Sequence, residues 1–97
     1  MDIDHIVPLA HAYRHGADKW TRAQRRAFAN DIENLMVVDD AINQAKSDKA
    51  PQEWLPPLKS YWCEYGKRWE RVKDKYKLRY SNEERAALNQ LARTCFK

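Results

Sequence analysis

The sequence of 97 residues predicts an α+β fold, and three observations support this class. Residues 2–7, DIDHIV, alternate between polar and apolar side chains as residues along a β-strand do. Residues 35–38, LMVV, form a short apolar run that suits a second strand. In the C-terminal half, aromatic residues recur at helical spacing. Two strands and several helices therefore share one small chain, which is long enough for a single core.

The stretch between the two strands is predicted to contain a helix. In TRAQRRAFAN, residues 21–30, Thr21 can cap the helix and Gln24 completes a capping box. The preceding residues 9–20 are predicted to be irregular or weakly helical, with a turn at Gly16. After the second strand, DDAINQAKSDK is predicted to form a short helix that Asp39 or Asp40 caps.

The C-terminal half is predicted to form a helical hairpin with its turn near residues 77–80. Three prolines in PQEWLPPL, residues 51–58, interrupt the chain before it. Ser81 and Glu84 form a second capping box, which begins the last helix. The apolar stripes of the two helices predict which side chains face the core: Leu58, Trp62, Tyr65, Trp69, Val72 and Tyr76, then Leu88, Leu91 and Cys95.

The charge of the chain is modestly basic, with a net charge of +4 and an isoelectric point near 9.2. Such a charge is compatible with a polyanionic partner. Basic residues concentrate between Lys59 and Arg79, and this stretch is either a solvated helix face or a nucleic-acid surface. No run approaches the roughly 18 apolar residues of a membrane span. The acidic N-terminus shows no signal peptide, which says little about export if the chain is part of a longer protein.

Four polar residues fall at the ends of the predicted strands and in the short helix. Asp4 and His5 close the first strand, Asn34 precedes the second, and Asn43 lies in the helix. Together with VPLAHA, FAND, NLMVV, NQAKSDK and EWLPP, their order resembles the HNH endonuclease family, the ββα-metal or His-Me finger nucleases. The resemblance is greatest to a branch of small bacterial HNH proteins and covers nearly the whole chain. It implies one nuclease domain: a ββα-metal core with a long helical insertion between its strands in residues 1–50, and a C-terminal helical hairpin in residues 51–97.

The resemblance also implies an activity and a role for each of these residues. The expected activity is metal-dependent hydrolysis of DNA with little sequence preference. His5 is the expected general base, because imidazoles titrate near neutral pH and can take a proton from water. Asp4 and Asn43 are expected to hold Mg²⁺ or another divalent cation such as Mn²⁺, since hard cations prefer oxygen ligands. Asn34 is expected to brace the backbone at His5.

Each of these residues alone also has an ordinary interpretation, and their joint occurrence favours a site. Asn34 is otherwise a turn residue, Asn43 a surface amide and His5 a half-buried histidine. Lys46, one turn after Asn43, is either a solvated lysine or a phosphate contact. Phosphate contacts that position the nucleic acid are also expected from cationic side chains on the helices: Arg22, Arg25, Arg26, Lys67, Arg68 and Arg71.

Two further sets of residues have ambiguous sequence signals. His11 and His15 are four residues apart and can share a metal ion if that segment is helical, but no third ligand is evident. Asp2 lies on the same strand face as Asp4, so it either tunes the site or is a solvated acid.

The two cysteines are either free thiols or a disulfide. Cys63 and Cys95 each lie about 14 residues from the hairpin turn, so helical rise places them level across the hairpin. Their faces agree less well, because Cys63 is more than a quarter turn off the apolar stripe. Relatives with cysteines in both places resemble exported proteins, which favours a bond and an oxidising compartment over a cytoplasmic location.

The expected partners follow from the nuclease assignment. The substrate is DNA, with RNA as the alternative, and no membrane partner is expected. We expect a monomer, with a cognate immunity protein or a fused targeting domain if the chain serves a toxin or a restriction enzyme. A nucleic-acid-binding module without activity is the rival class.

Overall fold

The computed structural model describes residues 1–96. The elements follow one another in this order: β1 (Asp2–His5), α1 (Leu9–Arg14), α2 (Arg22–Ala29), β2 (Leu35–Val38), α3 (Asp40–Lys46), α4 (Trp62–Lys75) and α5 (Asn82–Arg93). Short 3₁₀ turns at Ala17–Lys19, Ile32–Asn34 and Lys59–Tyr61 precede α2, β2 and α4. No helix in residues 1–96 is both long and apolar enough to cross a membrane.

The two strands form an antiparallel pair in which Asp2 lies opposite Val38 and His5 lies opposite Leu35. The second strand has the bounds that the sequence predicts, and α3 follows it directly with Asp39 as its cap. The segment after β1 is more regular than predicted, because residues 9–14 form the helix α1. Gly16 has a φ of 136°, a conformation that favours glycine, and reverses the chain after α1.

Both predicted capping boxes form. The Thr21 hydroxyl accepts from the backbone N–H of Gln24 at 3.1 Å, and the Gln24 side chain accepts from the N–H of Thr21 at 2.9 Å. Ser81 and Glu84 make the same reciprocal pair at the start of α5. These bonds join residues three positions apart and depend on no tertiary contact. The sequence pattern alone therefore predicts them.

The hairpin of α4 and α5 contributes most of the large core side chains. Tyr65, Trp69 and Val72 of α4 are buried together with Leu88 and Leu91 of α5. The prediction for Leu58 is wrong: its side chain is 67% exposed, because α4 begins only at Trp62 and the preceding turn directs Leu58 outward. The apolar stripe therefore starts one turn later than predicted.

A disulfide joins Cys63 to Cys95, with the Cα atoms 5.0 Å apart, so the predicted bond is confirmed. The two helices approach closely one turn after Cys63. A Cβ atom built at Gly66 would lie 3.1 Å from the Cβ of Leu91, a separation that leaves little room for a side chain. Glycine at this crossing allows the helices to come close together. Cys95 lies just beyond the end of α5, where the chain no longer has to follow the helical face.

Candidate functional site

Asn34 holds the turn that follows β1. Its side chain is fully buried, and its Oδ1 accepts from the backbone N–H of Val7 at 2.8 Å while its Nδ2 donates to the Val7 carbonyl at 3.0 Å. The backbone carbonyl of Asn34 accepts from the N–H of Ile6 at 2.8 Å. These three bonds fix the chain directly after His5. Asn34 therefore lies where a brace is predicted, although it holds Ile6 and Val7 rather than His5 itself.

His5 is the last residue of β1, and its half-buried ring is tied to the end of α2. The Nε2 atom lies 2.8 Å from the carbonyl oxygen of Ala29. A carbonyl oxygen only accepts hydrogen bonds, so Nε2 carries a hydrogen and the neutral ring keeps its lone pair on Nδ1. The imidazole is thus held in one orientation, with Nδ1 as its basic nitrogen.

Lys46 of α3 lies beneath the end of β1, next to Asp4 and His5. Its Nζ is 2.9 Å from Oδ2 of Asp4 and 2.7 Å from the carbonyl oxygen of His5, which accepts a hydrogen bond. The lysine is 0% exposed, so the predicted phosphate contact is not formed by this residue. Burial lowers the pKa of Lys46, and the Asp4 carboxylate opposes that change. Both sequence interpretations placed Lys46 on the surface. Its position one turn after Asn43 does not show whether this face of α3 is covered by other elements.

Asp4 also neighbours a buried tyrosine that the sequence analysis assigned only to the core. The hydroxyl of Tyr65 is buried with no hydrogen-bond partner among residues 1–96, whereas the buried Oδ2 of Asp4 is held by Lys46. Burial raises the pKa of Tyr65, and the nearby charge of Asp4 raises it further. Because Tyr65 lies on an apolar stripe, the sequence gives no sign that it is close to Asp4.

Asn43 pairs with Asp2 rather than with Asp4. Its Nδ2 donates to Oδ2 of Asp2 at 3.0 Å, which leaves Oδ1 of the amide as an acceptor. Asp2 and Asp4 lie on one face of β1, and Asn43 and Lys46 are three residues apart on α3, so two pairs join the strand to the helix. The carboxylates and the amide offer oxygen ligands: Lys46 binds Asp4 through Oδ2, and the Asn43 amide keeps its Oδ1 outside the bond to Asp2. This donor set fits a hard divalent cation such as Mg²⁺.

Three of the predicted nucleic-acid contacts line a groove beside α2. Arg22, Arg25 and Arg26 are exposed along a cavity of about 370 Å³ that Ala29 also lines. The carbonyl of Ala29 is the group that accepts from His5, so the groove and the histidine share one residue. On α4, Lys67 and Arg71 are exposed and remain available to a phosphate backbone.

Arg68 has a different position from the one predicted. Its guanidinium donates to the Leu35 carbonyl at 3.1 Å and to the Tyr61 hydroxyl at 2.9 Å, with a longer contact of 3.4 Å to the Glu33 carbonyl. These bonds tie α4 to the start of β2 and use the guanidinium inside the fold. Arg68 therefore supports the sheet, and the predicted phosphate contact does not fit this geometry.

The histidine pair of α1 belongs to a second polar cluster, under the hairpin. Glu84 provides the third group that the sequence lacked, and ligand atoms of His11, His15 and Glu84 lie within 4.8 Å of one another. The ammonium group of Lys73 already occupies this space. It donates to Nε2 of His11 at 2.9 Å, to Oε2 of Glu84 at 2.7 Å and to the carbonyl of Arg79. A lysine thus serves as the cation between His11 and Glu84, while Nδ1 of His15 donates to the His11 carbonyl at 2.8 Å.

The electrostatics of this second cluster are those of a closed network. Burial lowers the pKa of His11 and of Lys73. Burial by itself raises the pKa of Glu84, but the His11 ring 3.5 Å away and the hydrogen bonds from Lys73 and Trp69 outweigh it and bring the pKa to about 2. Trp69 contributes through Nε1, which donates to Oε2 of Glu84 at 2.7 Å. Glu84 is therefore a buried carboxylate with a cation and two aromatic side chains around it.

Comparison with known proteins places this chain in a family. The sequence model of the C-terminal domain of GmrSD restriction endonucleases matches residues 1–91. The chain belongs to this family. It is therefore related to nucleases, and the family's name describes a domain at the end of a restriction endonuclease.

A curated relative is 48% identical over 97 residues, which is 98% of this chain. It is named an uncharacterized secreted protein, from Arthroderma benhamiae. The chain spans 48% of the length of that relative. No solved structure matches the chain.

Proposed function

We propose that the domain is a divalent-metal-dependent HNH endonuclease that hydrolyses DNA with little sequence preference. The main observation behind the proposal is the fixed position of His5. Asn34 hydrogen-bonds to the backbone of the turn after His5, and the Ala29 carbonyl accepts from Nε2 of the His5 ring. A histidine held in this way offers Nδ1 as a general base. Membership of a nuclease-related family supports the chemistry. The order β1, β2, α3 is the order of a ββα-metal core with a helical insertion between its strands.

In the proposed reaction, Nδ1 of His5 takes a proton from the water molecule that attacks the phosphorus. The new P–O bond forms as the bond to the 3′ oxygen breaks, and the departing oxygen then takes a proton from solvent. Oxygen atoms of Asp4 and Asn43 would hold the divalent cation, Mg²⁺ or Mn²⁺. When bound, such a cation neutralises negative charge on the phosphate and on the departing oxygen.

Lys46 and Asp2 hold the proposed metal ligands and the proposed base in position. Lys46 holds the Asp4 carboxylate and the His5 carbonyl at the same ammonium group, so it fixes the relative position of the ligand and the base. Asp2 accepts from Nδ2 of Asn43 and thereby turns the amide oxygen to the opposite side. Both act through the residues they hold and need no contact with the substrate.

The nucleic acid would be gripped through its phosphates by exposed cations on two helices. Arg22, Arg25 and Arg26 lie on α2, and Lys67 and Arg71 lie on α4. Contacts of this kind set the position of the strand and carry no sequence information. They also make binding fall steeply as the salt concentration rises.

We further propose that the domain acts as the nuclease part of a larger, exported protein. The 48% coverage of the fungal relative and the C-terminal placement in the family name favour a larger protein. The disulfide and the relative's description as secreted favour an oxidising compartment. A cognate immunity protein is expected if that protein is a toxin, and a fused targeting domain is expected if it is a restriction enzyme.

The test is nicking of supercoiled plasmid by the purified domain with Mg²⁺, with Mn²⁺ and with EDTA. We expect cleavage with either ion and none with EDTA. Asp4→Ala is expected to lose more activity at limiting Mg²⁺ than Asn43→Ala, because it removes a charged ligand. Asp18→Ala, which removes an exposed acid outside the site, is the matched control and should cut normally. Normal cutting by both site variants would reject this ligand set.

The rival hypothesis, a binding module without activity, predicts a different result in the same assay. The plasmid would stay intact under every metal condition while a filter-binding assay still detected DNA. The chain carries all four expected residues, Asp4, His5, Asn34 and Asn43, and this argues against the rival because binding alone needs none of them.

A further inference from the structure

The groove between α1 and α2 contains no group that the proposed reaction uses. Its arginines can bind phosphates, but its surface is also apolar, which is unusual for a phosphate-binding face. Its floor is formed by the buried side chains of Ala12, Ala17 and Phe28. The cavity of about 370 Å³ falls within the range of small-molecule sites, about 300–1,000 Å³. A strip of arginines that only gripped a phosphate backbone would need no apolar cavity behind it.

Two aromatic rings border this floor. Tyr13 of α1 is 54% exposed, although an aromatic ring of its size gains stability from burial. Trp20 is half-buried and packs on Phe28 and Tyr76, with ring centroids 5.6 and 5.5 Å apart. Trp20 is thus fixed by the core, while Tyr13 stands at the open side of the groove.

The rim of the groove is positively charged. Arg22, Arg25 and Arg26 lie along it, and none of them makes an ion pair with another part of residues 1–96. The rim therefore favours an occupant with negative charge, while the floor and the two rings favour a flat apolar group. A nucleotide has both properties, because a planar base is joined to a phosphate.

We propose that this groove binds an unpaired nucleobase, with the base against Tyr13 and Trp20 and its flanking phosphates on the arginines. The inference rests on the proposed function, because it names the form of nucleic acid that the same domain takes. In a duplex the faces of the bases are covered by their neighbours, so a base can enter the groove only from a single strand or an unpaired position. Ala29 lines the groove and its carbonyl oxygen lies 2.8 Å from Nε2 of His5, so such a base would lie near the candidate general base.

The proposal predicts tighter binding to single-stranded DNA than to duplex DNA of the same sequence. It is tested with a single-stranded oligonucleotide that carries one 2-aminopurine, whose fluorescence falls when the base stacks on an aromatic ring. EDTA is present throughout, so that no cleavage occurs. We expect quenching on binding and a loss of affinity of about 5- to 150-fold for Tyr13→Ala, the range that removal of one stacked base implies.

Three controls make the result specific to the groove. Tyr13→Phe keeps the ring and should keep the quenching. Phe96→Ala removes an exposed aromatic ring near the end of the chain, outside the groove, and should bind as the wild type does. Arg25→Ala should weaken binding and reduce its salt dependence while quenching at saturation persists. Because Tyr13 is exposed, its variants are expected to keep the melting temperature of the wild type.

The outcomes separate this proposal from the proposed function. Quenching that is unchanged in Tyr13→Ala, or equal binding of single strand and duplex, overturns the nucleobase site, even if the plasmid is cut. Quenching that depends on Tyr13, in a domain that never cuts the plasmid, supports the nucleobase site and rejects the nuclease assignment. An occupant of another kind, such as a protein segment, would give no quenching and would also overturn the inference.

Discussion

The two buried polar clusters of this domain have the same central group and different surroundings. The strand cluster consists of Asp4, Lys46 and the backbone carbonyl of His5, with the Asp2–Asn43 pair on the same strand and helix, and the hairpin cluster consists of His11, Lys73 and Glu84. Each has a lysine that is 0% exposed beside a carboxylate. In the hairpin cluster, Lys73 has three acceptors, and Oε2 of Glu84 receives a second bond from Trp69. In the strand cluster, Oδ2 of Asp4 has Lys46 as its cationic partner at 2.9 Å, and no second bond of the kind that Trp69 gives to Glu84 is formed to it within residues 1–96.

This difference separates a structural network from a candidate functional one. Buried polar groups in folded proteins are nearly always hydrogen-bonded, because an unpaired one costs free energy. A fully bonded cluster such as the hairpin cluster rigidifies the fold and has no unused bonding capacity for a ligand. Around the strand cluster, the Asn43 amide oxygen and Nδ1 of His5 remain as acceptors, and the Asp4 carboxylate has a single cationic partner. It is therefore the cluster in which substitutions should change activity more than stability.

The largest effect is expected from His5→Ala, which removes the proposed general base. Loss of such a group typically lowers the rate by about 10²- to 10⁴-fold. Metal affinity, measured by titration calorimetry with Mn²⁺, should stay near the wild-type value because His5 is not a proposed ligand. His15→Ala, the matched control in the other part of the molecule, should keep cleavage. Full activity of His5→Ala, or complete loss of its metal affinity, would reject the assignment.

The next effect is on stability and belongs to the hairpin cluster. Glu84→Gln leaves the buried ammonium of Lys73 without its counter-charge, so we expect a loss of about 3–5 kcal/mol in the free energy of unfolding. Its neighbour Glu83 is exposed, and Glu83→Gln should change stability by less than about 0.5 kcal/mol. Urea unfolding of both variants measures the difference. Equal midpoints would show that the ion pair contributes nothing to the fold.

The hairpin cluster should also make the fold sensitive to acid. Glu84 has a folded pKa of about 2, below the value near 4.3 of an unfolded glutamate. Because the folded pKa is depressed, its contribution of about 3 kcal/mol is complete above about pH 4.5 and is lost as the pH falls toward 2. His11, whose pKa burial also lowers, adds a loss that begins near pH 6.5, the unfolded histidine value. The urea midpoint of the wild type should fall between pH 7 and pH 3. In Glu84→Gln, the decrease below pH 4.5 should be absent.

The smallest of these effects is expected from the disulfide that closes the hairpin. Cys63 and Cys95 are separated by 32 positions, and such a bond should stabilise the fold by roughly 2–4 kcal/mol. Reduction should lower the melting temperature and also weaken DNA binding, since α4 carries Lys67 and Arg71. The two effects separate with salt, because only the phosphate contacts weaken as salt rises. A thiol count that found two free cysteines, with melting unchanged by reductant, would contradict the bond and the export proposal together.

Local elements of the fold follow from the sequence because their decisive bonds join near neighbours. Thr21 with Gln24, and Ser81 with Glu84, form capping boxes within one turn of helix. The alternation in residues 2–5 and the apolar run in residues 35–38 likewise identify both strands. The same local character explains the error at Leu58, where the apolar spacing continued past the point at which the helix begins.

The candidate site is predictable from the sequence as a set of residue types and only partly as a geometry. The positions of His5 and Asn34 follow from the order of motifs, since each lies at the end or start of a strand. The inward position of Lys46, the pairing of Asn43 with Asp2, and the use of Arg68 inside the fold do not. Each of these contacts joins residues more than 30 positions apart.

What the sequence by itself determined is therefore every strand and helix except α1, their order and the residue types of the candidate site. Only the tertiary structure decided which lysines are buried, which histidines already have a cation, and where α4 and α5 come close enough for Cys63 to meet Cys95. The physical reason is that side chains of one type, such as Lys46 and Lys67, have the same local preferences in a helix. Their burial depends on the elements that pack against them, and that packing is a property of the whole chain.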